Sequence, residues 1–146
     1  GSRLVGSEMC IRDRIYQADC ILLILSILSD AQAIEFINYA NELKLDCIIE
    51  VHDEDELKRA IKLDYPVIGI NNRNLKSLEI NLNNSINLNK NLTNDYILIA
   101  ESGIKTSDDI KKFNSTGIYN FLIGESLLKS KDKEKKIGEL LLNESY

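Results

Sequence analysis

Apolar residues in this chain gather into short, almost unbroken runs, and the segments between them carry a helical period. "DCILLILS" (residues 19–26) reads as a buried strand, and "SDAQAIEFINYANEL" after it as an amphipathic helix opened by a capping-box pair, Ser29 with Gln32. "DCIIEV" is the next strand, followed by "DEDELKRAIKL" with Asp53 and Glu56 as a second box. "PVIGIN" leads to a helix over Leu82 to Asn91, and "DYILIAES" to "TSDDIKKFN", where Thr106 and Asp109 form a third box. "IYNFLIGES" and a helical tail through Leu142 complete the series. Strands apolar nearly throughout are those of a parallel sheet covered on both faces. They begin at intervals of roughly 21 to 29 residues, the spacing of successive βα units. The pattern predicts an α/β chain of five βα units.

Two folds accommodate such units. One is an open doubly wound sheet of the receiver type. The other is part of a (β/α)₈ barrel, whose full form takes roughly 250 residues. A phosphoacceptor receiver places an aspartate after its third strand and a lysine after its fifth. Here those strands end in Asn71 and Gly124, so the receiver fits poorly. The opening "GSRLVGSEMCIRDR" has neither a signal-peptide apolar core nor a clear period. "SEMCIRDR" reads as translated sequencing adapter, so residues 1–13 are expected to be non-native or disordered. Residues 14–146 are then one partial barrel.

Composition narrows the function classes. A formal charge of −5 on 146 residues, with both signs interspersed, argues against a nucleic-acid partner. The longest apolar run, Ile21 to Leu28, is broken by Ser26 and falls short of the roughly 18 residues of a membrane span. Three cysteines without metal or disulfide spacing predict no metal site, and a reducing cytoplasm is the default location. Cys20 and Cys47 lie inside apolar runs and read as buried thiols.

In parallel βα repeats the carboxyl ends of the strands carry the chemistry. This chain places there Ser26, then Glu50, then Asn71 with Arg73, then Glu101, Ser102 and Gly103, and last Gly124, Glu125 and Ser126. Glu50 ends a buried strand with no evident cation beside it. Desolvation there raises a carboxyl's pKa and suits it to proton transfer. The bland alternative, a loop carboxylate capping the next helix, is weakened because Asp53 already holds that position. Gly103 and Gly124, the second opening a short helix, point to an anion site, although turns want glycine in any case. Arg73 could neutralise an anionic group bidentately, and the Asn71 amide could fix a hydroxyl or carboxylate. Alone, "NNRN" would be only a turn.

It does not stand alone. "ADCILLILSILSD", "IIEVHDEDEL", "IGINNRNL", "ESGI" and "FLIGESLL" follow one another in the order and at the intervals of indole-3-glycerol-phosphate synthases, which the chain resembles from about Arg14 to its tail. The resemblance implies a TIM (β/α)₈ barrel represented by strands 4–8. It also implies a carboxy-lyase of tryptophan biosynthesis that closes, decarboxylates and dehydrates 1-(2-carboxyphenylamino)-1-deoxyribulose 5-phosphate, with no cofactor or metal. Carried over, it makes Glu50 the catalytic carboxylate, a general base in dehydration, and Asn71 the active-site amide. Arg73, Glu101 and Ser102 would contact substrate, while Gly103, Gly124 and the backbone at Glu125 would hold the phosphate. Some members have serine where Glu125 stands. His52 matches no catalytic position of the family and reads as a loop residue.

The family's Glu-x-Lys pair and its lysine general acid come from the first three strands and have no counterpart here. The resemblance therefore implies a fragment inactive alone, with open sheet edges prone to self-association. Two other readings compete: another phosphate-binding barrel, such as phosphoribosylanthranilate isomerase, and a non-catalytic half-barrel assembly module. The isomerase wants a catalytic cysteine and aspartate at strand ends, and that pairing does not occur.

Overall fold

A computed structural model describes residues 7–141, with side chains from residue 9. Five strands alternate with helices and follow chain order in the sheet, β1 (Cys20–Ile24), β2 (Asp46–Val51), β3 (Val67–Asn71), β4 (Ile97–Glu101) and β5 (Asn120–Leu122). The chain divides into two compact units, Gly1–Ile68 and Gly69–Tyr146, with the boundary inside β3. This is the α/β repeat that the apolar pattern predicts.

The first unit contains α1 (Ser7–Ile15), α2 (Asp30–Glu42) and α3 (Glu54–Lys62). The expected boundary at residues 13 and 14 falls within α1, where Cys10 is fully buried; residues 1–6 of that segment lie outside the described residues. β1 and β2 pair in parallel from Cys20 opposite Asp46 to Ile24 opposite Glu50. Helix α2 buries Ala33, Phe36 and Ala40, one stripe at helical spacing. Full burial of a side chain such as Phe36 contributes about 1.5–3 kcal/mol. Arg59 on α3 donates to Asp30 Oδ1 (2.7 Å) and to the carbonyls of Leu25 (2.8 Å) and Leu28 (2.6 Å), which ties the β1–α2 loop to α3.

Not every apolar strand residue is covered. β1 alternates, with Ile21 and Leu23 buried while Leu22 is 36% exposed. Successive side chains point to opposite faces, so only one face of β1 meets the packed helices. Cys20, expected to be buried, is exposed at the first position of this strand. Cys47 is buried as expected, and burial is the main cause that pushes its thiol up to about 11.

In the second unit, α4 (Asn83–Asn89) begins without a side-chain cap, and α5 (Ser107–Asn114) begins with the expected reciprocal box of Thr106 and Asp109. β4 and β5 pair in parallel, Ile99 opposite Asn120 and Glu101 opposite Leu122. The Phe113 ring of α5 packs tilted on Phe121, centroids 5.7 Å apart. The tail is two helices, α6 (Glu125–Lys129) and α7 (Lys133–Leu141), with α7 lying on α5 and α6. Leu142, the expected end of the tail, lies outside the described residues. Among the described residues no helix is long and apolar enough to cross a membrane, and no group of three or more His, Cys, Asp or Glu could hold a metal ion.

Candidate active site

The first unit contributes Glu50, at the penultimate position of β2. Its side chain is turned into the protein and only 4% of the residue is exposed. A cation source does stand beside it: His52 Nε2 lies 2.9 Å from Glu50 Oε1. The other ring nitrogen, Nδ1, lies 3.0 Å from Glu56 Oε2, and that same oxygen accepts the His52 backbone N–H at 2.7 Å. Asp53 caps α3 by accepting from Glu56 N–H (2.8 Å). The expected box is thus half formed, because the Glu56 carboxylate reaches past Asp53 to His52. His52 is a loop residue by position, yet its side chain is only 9% exposed. Burial is the largest influence on its imidazole and pulls the pKa down. Hydrogen bonds and charge from Glu50 and Glu56 outweigh it and hold the ring above its ordinary value.

The remaining expected residues belong to the second unit. Asn71 ends β3, and its Oδ1 accepts the Arg73 N–H (2.9 Å), so its side chain shapes a turn. Arg73 Nη2 donates to Glu125 Oε2 (2.9 Å), and Lys129 Nζ to Glu125 Oε1 (2.6 Å). Lys129 first, then Arg73, holds this exposed carboxyl below its ordinary value. Glu101 is buried at the end of β4. Ser102 and Gly103 follow in consecutive left-handed conformations, φ 69° and 82°. A side chain at Gly103 would collide with Ile80, so glycine is required there by backbone and packing together. Gly124 has φ −124°, and a Cβ on it would meet open space, so nothing in the fold demands glycine at that turn.

Two features of this unit escape sequence reasoning. The first is Asn72, 2% exposed, between the two residues singled out in "NNRN". Its Oδ1 accepts from Ser85 Oγ (2.7 Å) and Ser85 N–H (3.1 Å), and its Nδ2 donates to the Ser102 carbonyl (3.2 Å). Its backbone N–H donates to the Glu101 carbonyl (2.8 Å). Asn72 therefore fastens the loop after β3 to the loop after β4. The second is a cavity of about 360 Å³ lined by Arg73, Gly103, Lys105, Glu125, Lys129 and Lys136, among others. Ser126 Oγ donates to the Ile104 carbonyl (3.0 Å) at its edge and so joins the "ESGI" and "LIGES" segments. Four cations around one cavity are an electrostatic setting for an anion. Helix α6, with five residues, supplies little dipole by comparison.

Residues 5–140 match the family model described as indole-3-glycerol phosphate synthase. The chain belongs to that family. It is 42% identical over 138 residues to the indole-3-glycerol phosphate synthase of Legionella pneumophila, covering 94% of this chain and 54% of the relative. The Delftia acidovorans enzyme is 41% identical over 137 residues (94% and 51%), and that of Acinetobacter baumannii 46% over 127 residues (86% and 47%). The chain thus spans about half the length of these relatives. Solved structures show the fold alone. A mandelate oxidase matches with a TM-score of 0.73 at 12% identity, over 94% of this chain and 53% of that one. KGPDC from Streptococcus mutans matches at 0.66 and 13%, over 92% and 64%. Fold and family membership thus agree with a TIM-barrel origin for about half a barrel.

Proposed function

We propose that this chain carries the Glu50 carboxylate and the phosphate-binding segment of an indole-3-glycerol phosphate synthase. The reaction is the ring closure, decarboxylation and dehydration of 1-(2-carboxyphenylamino)-1-deoxyribulose 5-phosphate, a step of tryptophan biosynthesis. The observation that supports this most is Glu50 itself, a carboxylate buried at a strand end in a chain of this family. A general base needs a fixed, desolvated carboxylate that still begins ionised. In this reading Glu50 takes the proton lost in dehydration, and Asn71 contributes polar contact at the end of β3. Arg73, Glu101 and Ser102 contact the substrate. Backbone groups at Gly103, Gly124 and Glu125 hold the phosphate, with Arg73, Lys105, Lys129 and Lys136 supplying positive charge around the cavity.

The lysine acid and the Glu-x-Lys pair of the family have no counterpart in the 146 residues, so the chain by itself is expected to show no turnover. The decisive experiment fuses the N-terminal half of the Legionella pneumophila synthase ahead of this chain and assays indole-3-glycerol phosphate formation. We expect turnover from the fusion and a fall of roughly 10²-fold or more for Glu50→Gln, the scale of a lost general base. The Michaelis constant should change far less. A folded fusion whose Glu50→Gln variant keeps near-normal turnover would reduce Glu50 to a structural residue.

A further inference from the structure

The imidazole of His52 touches carboxylates at both of its nitrogens, Glu50 Oε1 at 2.9 Å and Glu56 Oε2 at 3.0 Å. A neutral ring carries one N–H, which would leave a bare nitrogen lone pair facing a carboxylate oxygen at hydrogen-bond distance. An imidazolium carries two and sets a positive charge against both carboxylates, as a hydrogen bond at Nδ1 and as an ion pair by distance at Nε2. All three side chains are at least 86% buried, the least buried being Glu56 at 14% exposure, so solvent does little to screen the arrangement.

The ring is also held from behind. Glu56 Oε2 accepts the His52 backbone N–H at 2.7 Å, and Asp53 fixes the start of α3 through the Glu56 N–H at 2.8 Å. Glu56 lies in the first turn of α3, where the helix dipole favours its negative charge. Glu50, in turn, is anchored by its strand, whose carbonyl accepts the Leu25 N–H at 3.0 Å.

We propose that His52 is a positioning residue for Glu50: bridged to Glu56, its ring fixes the Glu50 carboxylate through Oε1 and holds it ionised. This rests on the reading of Glu50 as a base. A carboxylate so deeply buried tends to take up a proton, and a base that starts protonated cannot act. The imidazolium offsets that tendency. Glu56, by stabilising the same cation from the other side, keeps the ring charged. The alternative is a structural histidine whose charge is incidental to Glu50.

His52 is the sole histidine of the sequence, so every imidazole signal reports on it. The test is to label this chain with nitrogen-15 and follow the ring nitrogens against pH, in solution or by magic-angle-spinning. The carboxyl carbon of Glu50 is followed in the same samples. The ring should titrate above the ordinary histidine range in the parent chain. Its midpoint should move down in Glu50→Gln and, separately, in Glu56→Gln. His52→Gln keeps a side-chain N–H without the charge, so it should preserve the fold while the Glu50 carboxyl titrates at higher pH than in the parent. Backbone amide spectra of each variant confirm the fold independently. A ring that titrates alike in the parent and both glutamine variants would overturn the proposal. So would a Glu50 titration unmoved by His52→Gln. These readouts need no turnover, so failure of the synthase assay would strike the reading of Glu50 as a base without altering the titrations.

Discussion

At the scale of single residues, the arrangement around Glu125 makes a quantitative expectation. Its carboxylate engages both Arg73 and Lys129, two of the four cations that line the cavity. An anion arriving there has to compete with Glu125 for both of them. Solvent screens exposed ion pairs of this kind and makes the competition weak, so Glu125→Gln should tighten inorganic phosphate binding only modestly, by roughly two- to five-fold. Titration calorimetry with phosphate would measure it, and unchanged or weaker binding would separate the cavity from the anion. The sequence placed Arg73 and Glu125 at the ends of different strands but could not pair them. They are far apart along the chain, and no local period encodes a contact between side chains on separate loops. The partners of His52 were hidden for a different reason: Glu50 and Glu56 lie only two and four residues away, but across a strand end and a helix start no single period tells which way each side chain turns.

At the scale of elements, helix starts were legible because caps are local. Ser29 with Gln32 and Thr106 with Asp109 form the reciprocal boxes that their spacing implies. The departure at Asp53 and Glu56 has a tertiary cause, since the Glu56 side chain is drawn to the backbone and ring of His52. Loops were read less well. In "NNRN" the sequence directed attention to Asn71 and Arg73, yet the buried member is Asn72, and four similar polar residues in a row carry no signal of which one points inward. Asn72→Ala would strand the buried Ser85 N–H and remove the donor to the Ser102 carbonyl. With unsatisfied buried groups costing about 1–3 kcal/mol each, the second unit should lose about 2–3 kcal/mol in urea denaturation. An effect below about 0.5 kcal/mol, the scale of an ordinary surface substitution, would show that water replaces the amide readily.

At the scale of the whole chain, the strand order runs from β1 to β5. The two end strands each carry a side that needs covering. Leu22 on β1 is 36% exposed and Leu122 on β5 48%, with Tyr119 beside β5 at 68%. Exposed strand edges and apolar patches drive association between chains. The purified chain is therefore expected to self-associate, read as a sedimentation or light-scattering mass above that of one chain at micromolar concentration. A clean monomer across that range would mean that its edges are protected. Apolar runs predicted the strands here but not their one-sided exposure. A strand buried on both faces and one with a bare apolar face have the same hydropathy, and only the neighbours distinguish them.

The register of the paired strands also has a bearing on how the polypeptide is made. Cys20 meets Asp46 and Ile99 meets Asn120, so each pairing joins strands one helix apart along the chain. Contacts this local close small loops, whose entropy cost is modest. Ribosomes add about 5–20 residues per second, so the partner of β1 is synthesised a few seconds after β1 itself. The first pairing can then form as soon as β2 clears the exit tunnel, while the segment bearing Gly124 is still being translated. An edge that would otherwise recruit a neighbouring nascent chain on the same polysome is covered early by its own sequence.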